Sequence, residues 1–241
     1  MDYLLLFILL ALLAEILGTV GGFGSSLFFV PIASFFLDFH SVLGITAIFH
    51  VSSNITKIAF FRKGFDKNIV IWVGVPAVIF VIIGAYLSKF LENFYLEIVL
   101  AIFLILTSLT FLIFKNIVIK ATIKNSFLGG LFSGLIAGLI GTGGAIRGIT
   151  LASFNLPIKT FIATSAIIDL GIDISRGFVY YSNGFVHKHD LYLIPFLLVT
   201  SIIGTFLGKK ILNKISEEKF KSIVLILIFI TGVITLVKIT M

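Results

Sequence analysis

Asp169, Asp173 and Arg176 stand four and three residues apart inside the apolar run Ile158–Tyr181, while Thr46, His50, Asn54 and Lys57 keep a similar spacing inside Val42–Phe61. Residues three and four apart share one face of a helix, so each run carries a single polar stripe. An ionised side chain near the centre of a bilayer costs about 3 kcal/mol or more, which confines such residues to cavities or to pairs with one another. Asp173 and Arg176 are spaced to pair within one helix, and Asp169 is spaced to reach Asp173. Two close carboxylates against one arginine hold either a net negative charge or a shared proton. The chemistry on offer is proton carriage or gating by His50, Asp169 and Asp173, with Arg176 as partner. The alternative is a structural lattice of ion pairs between helices.

A second signal is glycine. "GTVGGFGSSLFFVP", Gly18 to Pro31, and "GLIGTGGAIRG", Gly138 to Gly148, each interrupt apolar sequence. Glycine in a helix interior costs about 1 kcal/mol relative to alanine, and a broken helix frees backbone groups that lipid cannot satisfy. The breaks must face protein or water. A new helix is expected after each, from about Ser25 and about Ala145, and its free N–H groups and positive dipole end favour an anion. The expected anion site takes backbone from Gly21, Gly22, Gly24, Gly141, Gly143 and Gly144, hydroxyls from Ser25 and Thr142, and Asn54 from the first stripe. Arg147 adds a guanidinium suited to clamping an oxyanion. Glu15, before the first break, either pairs with Arg147 or carries a proton, and Lys57 is expected to snorkel to the membrane edge. The plainer reading of the glycines is close helix packing. Their likeness to dinucleotide-binding loops is weak, since no strand precedes either cluster.

The elements that position these residues follow from composition. Of 241 residues, 59% are hydrophobic and only 12% charged, about half the charge of a soluble chain. This is the composition of a polytopic membrane protein. The absence of cysteine excludes disulfides, thiolate metal sites and cysteine nucleophiles. No HExxH-type motif and no sizeable soluble loop is present, so no enzyme, cofactor or metal is expected. The net charge of +7 resides in short loops, as a cytoplasmic bias does, and argues against nucleic acid. The start, "MDYLLLFILLALLAEILG", lacks a basic n-region and a cleavage site and is expected to be retained.

Six apolar runs, Val42–Phe61, Ile69–Leu87, Tyr95–Phe114, Ile158–Tyr181, Leu191–Leu207 and Phe220–Val237, are long enough to cross about 30 Å of hydrocarbon. Four are short: Tyr3–Leu17, Ser25–Leu37, Ser126–Ile140 and Ala145–Phe154. The short runs form two pairs joined by the glycine clusters. Gly18, Gly21 and Gly24 match Gly138, Gly141 and Gly144 at an offset of 120, as "RKGF" matches "SNGF" and "IIGAYL" matches "IIGTFL". The polar stripes match at 119. The chain is an internal duplication. If each broken pair is one crossing, the halves are parallel and the loop lysines and arginines divide eight against seven. If each is a re-entrant hairpin, the halves are inverted; Lys89, Lys188 and Lys238 then face twelve others, a positive-inside bias. The second arrangement is expected, with the amino terminus outside. Repeats then occupy 1–114 and 126–241, joined by a cytoplasmic link at 115–125.

The break "GTVGGFGSSLFFVP", the following "GITAIFHVSSNITKIAFFRKG", and the second copy in "GLIGTGGAIRG" and "LPIKTFIATSAIIDLG" resemble the sulfite exporter TauE/SafE family of membrane permeases. The likeness covers nearly the whole chain, and "ATSA" is among its more specific points. The resemblance implies transport of sulfite, sulfonates or other small organosulfur or organic anions, coupled to protons. The first break, "GGFGSS", carries fewer glycines than is common in the family, and the Asp169, Asp173, Arg176 cluster lies outside its pattern. The expected protein is thus an all-α, multi-pass secondary transporter in the cell membrane, two inverted halves each made of a re-entrant pair and three transmembrane helices. It alternates access to a small anion. Its partners are that anion, protons and the lipid bilayer, with no nucleic acid; homo-oligomer formation stays open. The rivals are an anion channel and a non-enzymatic membrane partner of another complex.

Overall fold

Long apolar runs in a medium without water must pair every backbone group internally, and helix does so within one segment. The computed structural model describes residues 3–61, 64–114, 119–212 and 217–240, with side chains for all of these except 217–224. Among the described residues the chain is helical throughout, without strands. The first half holds α1 (Leu4–Gly21), α2 (Ser26–Ala33), α3 (Phe39–Phe60), α4 (Lys67–Phe90) and α5 (Asn93–Ile113). The second holds α6 (Ile123–Ile140), α7 (Gly144–Ala152), α8 (Ile158–Ser182), α9 (Leu193–Leu212) and α10 (Glu217–Thr240). Within α4 a π-helical turn at Val70–Gly74 precedes Pro76, which has no N–H to give to a regular ladder.

Among the described residues six helices, α1, α3, α4, α5, α6 and α9, are long and apolar enough to cross a membrane. Two of them correct the expectation of short arms: α1 and α6 each run 18 residues, about 27 Å at the helical rise. They continue through glycines such as Gly18 and Gly138, which stay helical because neighbouring backbone packs where a Cβ would stand. Each ends at a glycine in the left-handed region, Gly22 (φ 72°) and Gly141 (φ 80°). These caps are 119 apart, as are the starts of α1 and α6 and of α3 and α8. These helix starts and caps therefore correspond one residue out of step with the glycine match at 120.

Both breaks are hairpin turns. The Phe7 ring of α1 lies 5.9 Å from that of Phe29 on α2 and 5.2 Å from Phe36 beyond it, so α2 returns along α1. In the second half Thr150 packs on Gly129, and Gly143 lies against the Ser133 carbonyl, so α7 returns along α6.

Between the halves, glycine permits backbone-to-backbone contact. Gly130, Gly134 and Gly138 of α6 meet the carbonyls of Val73, Ala77 and Val81, which makes α6 and α4 parallel neighbours. Their counterparts α1 and α9 are also parallel, Gly204 beside Glu15 and Gly208 beside Thr19. The equivalent helices α3 and α8 pack antiparallel: Gly44 is against Phe185, Ala47 against Gly177, and Asn54 against Asp173. So do α5 and α10, where Gly232 packs on Leu104 and Ile105, and Lys238 Nζ lies 3.2 Å from Glu97.

These directions place Lys67, Lys120, Lys124, Lys159, Lys209 and Lys210 at one end of the bundle and Lys89, Lys188 and Lys238 at the other. Arg62, Lys63, Lys115 and Lys214, and the side chains of Lys219 and Lys221, lie outside the described residues, as does part of the 115–125 link. The bundle's flank is apolar, with Leu106, Phe178, Val199 and Phe206 among many large side chains exposed there. Such a surface belongs in lipid. The interior layer beneath it, with Phe29, Leu43, Phe49 and Ile140 fully buried, encloses the polar residues described next.

Candidate functional site

The two hairpin turns meet. Gly144, at the start of α7, lies so close to the Phe23 carbonyl of the first turn that a Cβ there would fall on it. Thr142 Oγ1 donates to Ser26 Oγ at 3.0 Å. The polar stripes of α3 and α8 flank this junction and enclose a tight cleft with about 20 Å³ of free space. Of the residues expected at the site, Gly24, Ser25, His50, Asn54, Gly141, Gly143, Gly144, Arg147, Asp169, Asp173 and Arg176 line it. Three do not. Gly21 is the last residue of α1, Gly22 lines an adjoining space with Gly24, Asn54 and Asp169, and Thr142 is turned toward Ser26.

The pairing differs from the one the spacing suggests. Asp173 Oδ1 does pair with Arg176 Nη2, at 2.7 Å, but Asp169 pairs with Arg147. Two carboxylates thus have two arginines, because α7 folds back to bring Arg147 alongside α8. Arg147 also donates through Nε to Ser165 Oγ at 3.0 Å. Arg176 is held from the other side by the carbonyls of Ala137 and Gly141, which accept from Nη1 at 3.0 and 2.6 Å. Its Nε is buried and has no hydrogen-bond partner among the described residues.

Lys57 does not snorkel. It is 6% exposed, and its Nζ lies 2.9 Å from Glu15 Oε1 and 2.7 Å from Ser53 Oγ. Glu15, fully buried, pairs with Lys57 and not with Arg147. Its carboxylate accepts further hydrogen bonds from Thr19, Ser25, Ser53 and Thr205 at 2.6–3.2 Å. Ser25 Oγ donates to Glu15 and so accepts from His50 Nε2 at 3.0 Å, which leaves His50 Nδ1 free to accept from Arg176 Nη2 at 3.4 Å. One chain of hydrogen bonds therefore runs from Lys57 through Glu15, Ser25, His50 and Arg176 to Asp173.

Lys57, Ser53 and Thr205 join the site through Glu15, a residue the sequence offered as a partner of Arg147 or a proton carrier. The available signal was Glu15 itself, a carboxylate in an apolar run. Three buried cations, Lys57, Arg147 and Arg176, stand against three carboxylates, Glu15, Asp169 and Asp173. The cleft is neutral when all six are ionised.

Residues 7–235 match the family described as Sulfite exporter TauE/SafE. The chain belongs to the sulfite exporter TauE/SafE family. It is similar to the "Probable membrane transporter protein YdhB" of Bacillus subtilis (strain 168), 25% identical over 247 residues that cover 97% of this chain and all of the relative. No solved structure matches the chain. As a TauE/SafE protein it is a multi-pass membrane transporter of a small molecule, not an enzyme. The cleft between its hairpin turns, buried and polar in an otherwise apolar bundle, is where such a molecule would be held.

Proposed function

We propose that the protein is a proton-coupled secondary transporter of a small oxyanion, of the sulfite, sulfonate or organic acid class, in the cell membrane. The observation that carries this reading is the pairing of every buried cation in the cleft with its own carboxylate. An anion entering a neutral, dry cleft needs a cation, and each cation already has a carboxylate. Protonating one carboxylate releases its partner for the anion, so anion and proton occupy the cleft together. Asp169 suits that exchange best: its side chain is 16% exposed, against 4% for Asp173, and it holds Arg147 at the start of α7. The first amides of that helix, Gly144 to Ile146, have no carbonyl partner within it and add donors for an oxyanion. Arg176 offers its unpartnered Nε.

The antiparallel packing of the equivalent helices α3 with α8 and α5 with α10 supports two inverted halves, each a hairpin and three transmembrane helices, alternating access about the cleft. The six-to-three division of the described lysines other than buried Lys57 supports placing the lysine-rich end in the cytoplasm and the amino terminus outside. The test uses proteoliposomes with an imposed pH gradient and radiolabelled sulfite, taurine or sulfoacetate. Saturable accumulation of one anion that collapses when protonophore dissipates the gradient is the expected result. Flux that neither saturates nor accumulates would identify a channel instead.

A further inference from the structure

At the end of the bundle away from Lys209, the loop between α8 and α9 gathers His187, His189 and Asp190. The tight turn Lys188–Asp190 brings one ring nitrogen of each histidine and a carboxylate oxygen of Asp190 within 4.8 Å of one another. His189 Nε2 is 3.4 Å from Asp190 Oδ1, and His187 Nδ1 is 3.8 Å from Asp190 Oδ2. The two imidazoles stack with centroids 5.3 Å apart and planes 9° from parallel. Asp190 is 2% exposed, and its Oδ2 has no hydrogen-bond partner among the described residues. A carboxylate oxygen buried without a donor is costly, and here Oδ2 lies beside the His187 ring while Oδ1 of the same carboxylate lies beside His189. Asp38, which caps α3, brings Oδ2 to 3.7 Å from His187 Nδ1.

We propose that His187, His189, Asp190 and Asp38 form a binding site for a divalent transition cation of the zinc class. Two imidazoles with two carboxylates suit a borderline cation with mixed nitrogen and oxygen ligands, whereas magnesium and calcium take oxygen. Ligand atoms around tetrahedral zinc lie about 3.3 Å apart, given bonds of about 2.0–2.1 Å. The His189–Asp190 separation is already there, and His189, 75% exposed at its side chain, is free to close the rest. Ser41 Oγ, 2.6 Å from His187 Nδ1, gives way to the metal at that nitrogen. The bound ion ties the start of α3 to the loop that follows α8, and these two helices carry the polar stripes of the cleft.

The test uses the full-length, tag-free protein in detergent, titrated with Zn2+ by calorimetry and with Co2+ by its visible absorption, alongside melting temperatures. One ion per chain, tetrahedral Co2+ bands, and a rise in melting temperature of several degrees with Zn2+ but not Mg2+ are expected. His189→Ala, at an exposed position, should weaken Zn2+ at least tenfold while leaving the metal-free melting temperature unchanged. Asp38→Asn, which keeps a helix cap, should weaken it similarly. Absence of binding, equal effects of Mg2+, or undiminished binding in either variant would overturn the site.

Discussion

Asn54 and Asp173 stand 119 positions apart, the same offset as the starts of α3 and α8 that carry them, and they bond to each other: Asn54 Nδ2 donates to Asp173 Oδ2 at 2.7 Å. The bond joins α3 to α8 at the cleft and leaves Asp173 Oδ1 for Arg176. Replacing Asn54 by Leu strands one buried carboxylate oxygen, a loss of about 1.5–3 kcal/mol for a hydrogen bond to a charged group. Asn54→Leu should therefore lower the melting temperature, and Asn54→Ser should lower it less if water fills the gap. A Leu variant as stable as the native protein would show that the two halves do not depend on this bond.

Glu15 and Lys57 should behave as a unit. Removing one member of a buried ion pair costs about 3–5 kcal/mol because the other charge is left alone, while an apolar or neutral pair can be nearly as stable as the original. Lys57→Met and Glu15→Gln should each destabilise strongly, and the double variant should recover much of the loss. Denaturation of the four proteins in detergent gives the coupling energy directly. Additive losses would mean that the pair contributes nothing beyond its separate contacts.

Gly144 offers a steric test. A Cβ there would fall on the Phe23 carbonyl, so Gly144→Ala must push the two hairpin turns apart. We expect folded protein with transport reduced at least tenfold, since the bundle's other contacts are untouched but the cleft is opened. Gly64, where a Cβ meets nothing within 4 Å but φ is 105°, serves as a control for backbone strain alone. Gly144 has no left-handed φ of its own, so equal loss in Gly144→Ala and Gly64→Ala would show that the effect is not particular to the junction.

Much of the cleft was legible because period and type are local properties. Polar residues three and four apart in an apolar run define a face, and glycine clusters define a break, without knowledge of neighbours. Partner choice was not legible. Asp169 and Asp173 share a face, so spacing alone gave them one arginine; only the return of α7 along α6 brings Arg147 to Asp169. Lys57 sits near the end of α3, where snorkelling is the ordinary outcome, and only Glu15 arriving from α1 keeps it inside. The lengths of α1 and α6 were missed for a related reason. Glycine lowers helix propensity in isolation, yet Gly18 and Gly138 remain helical because close packing against other backbone rewards the missing side chain.

The pair Arg147–Asp169 carries the most demanding prediction. If protonation of Asp169 frees Arg147 for the anion, then Asp169→Asn fixes the cleft in its proton-loaded state. The amide keeps the size and some hydrogen bonding of the carboxyl but cannot ionise. Anion binding should persist or tighten, and exchange of anion across the membrane at equal pH should continue. Accumulation driven by a pH gradient should vanish, because no proton is carried. Arg147→Gln should instead lose anion affinity by about ten- to a hundredfold, the worth of a charge-assisted hydrogen bond of about 1.5–3 kcal/mol. Melting temperatures separate these outcomes from collapse of a purely structural pair: in that case Asp169→Asn leaves Arg147 uncompensated, and stability and exchange fall together. Gradient-driven accumulation that survives in Asp169→Asn would remove this carboxylate from the coupling step.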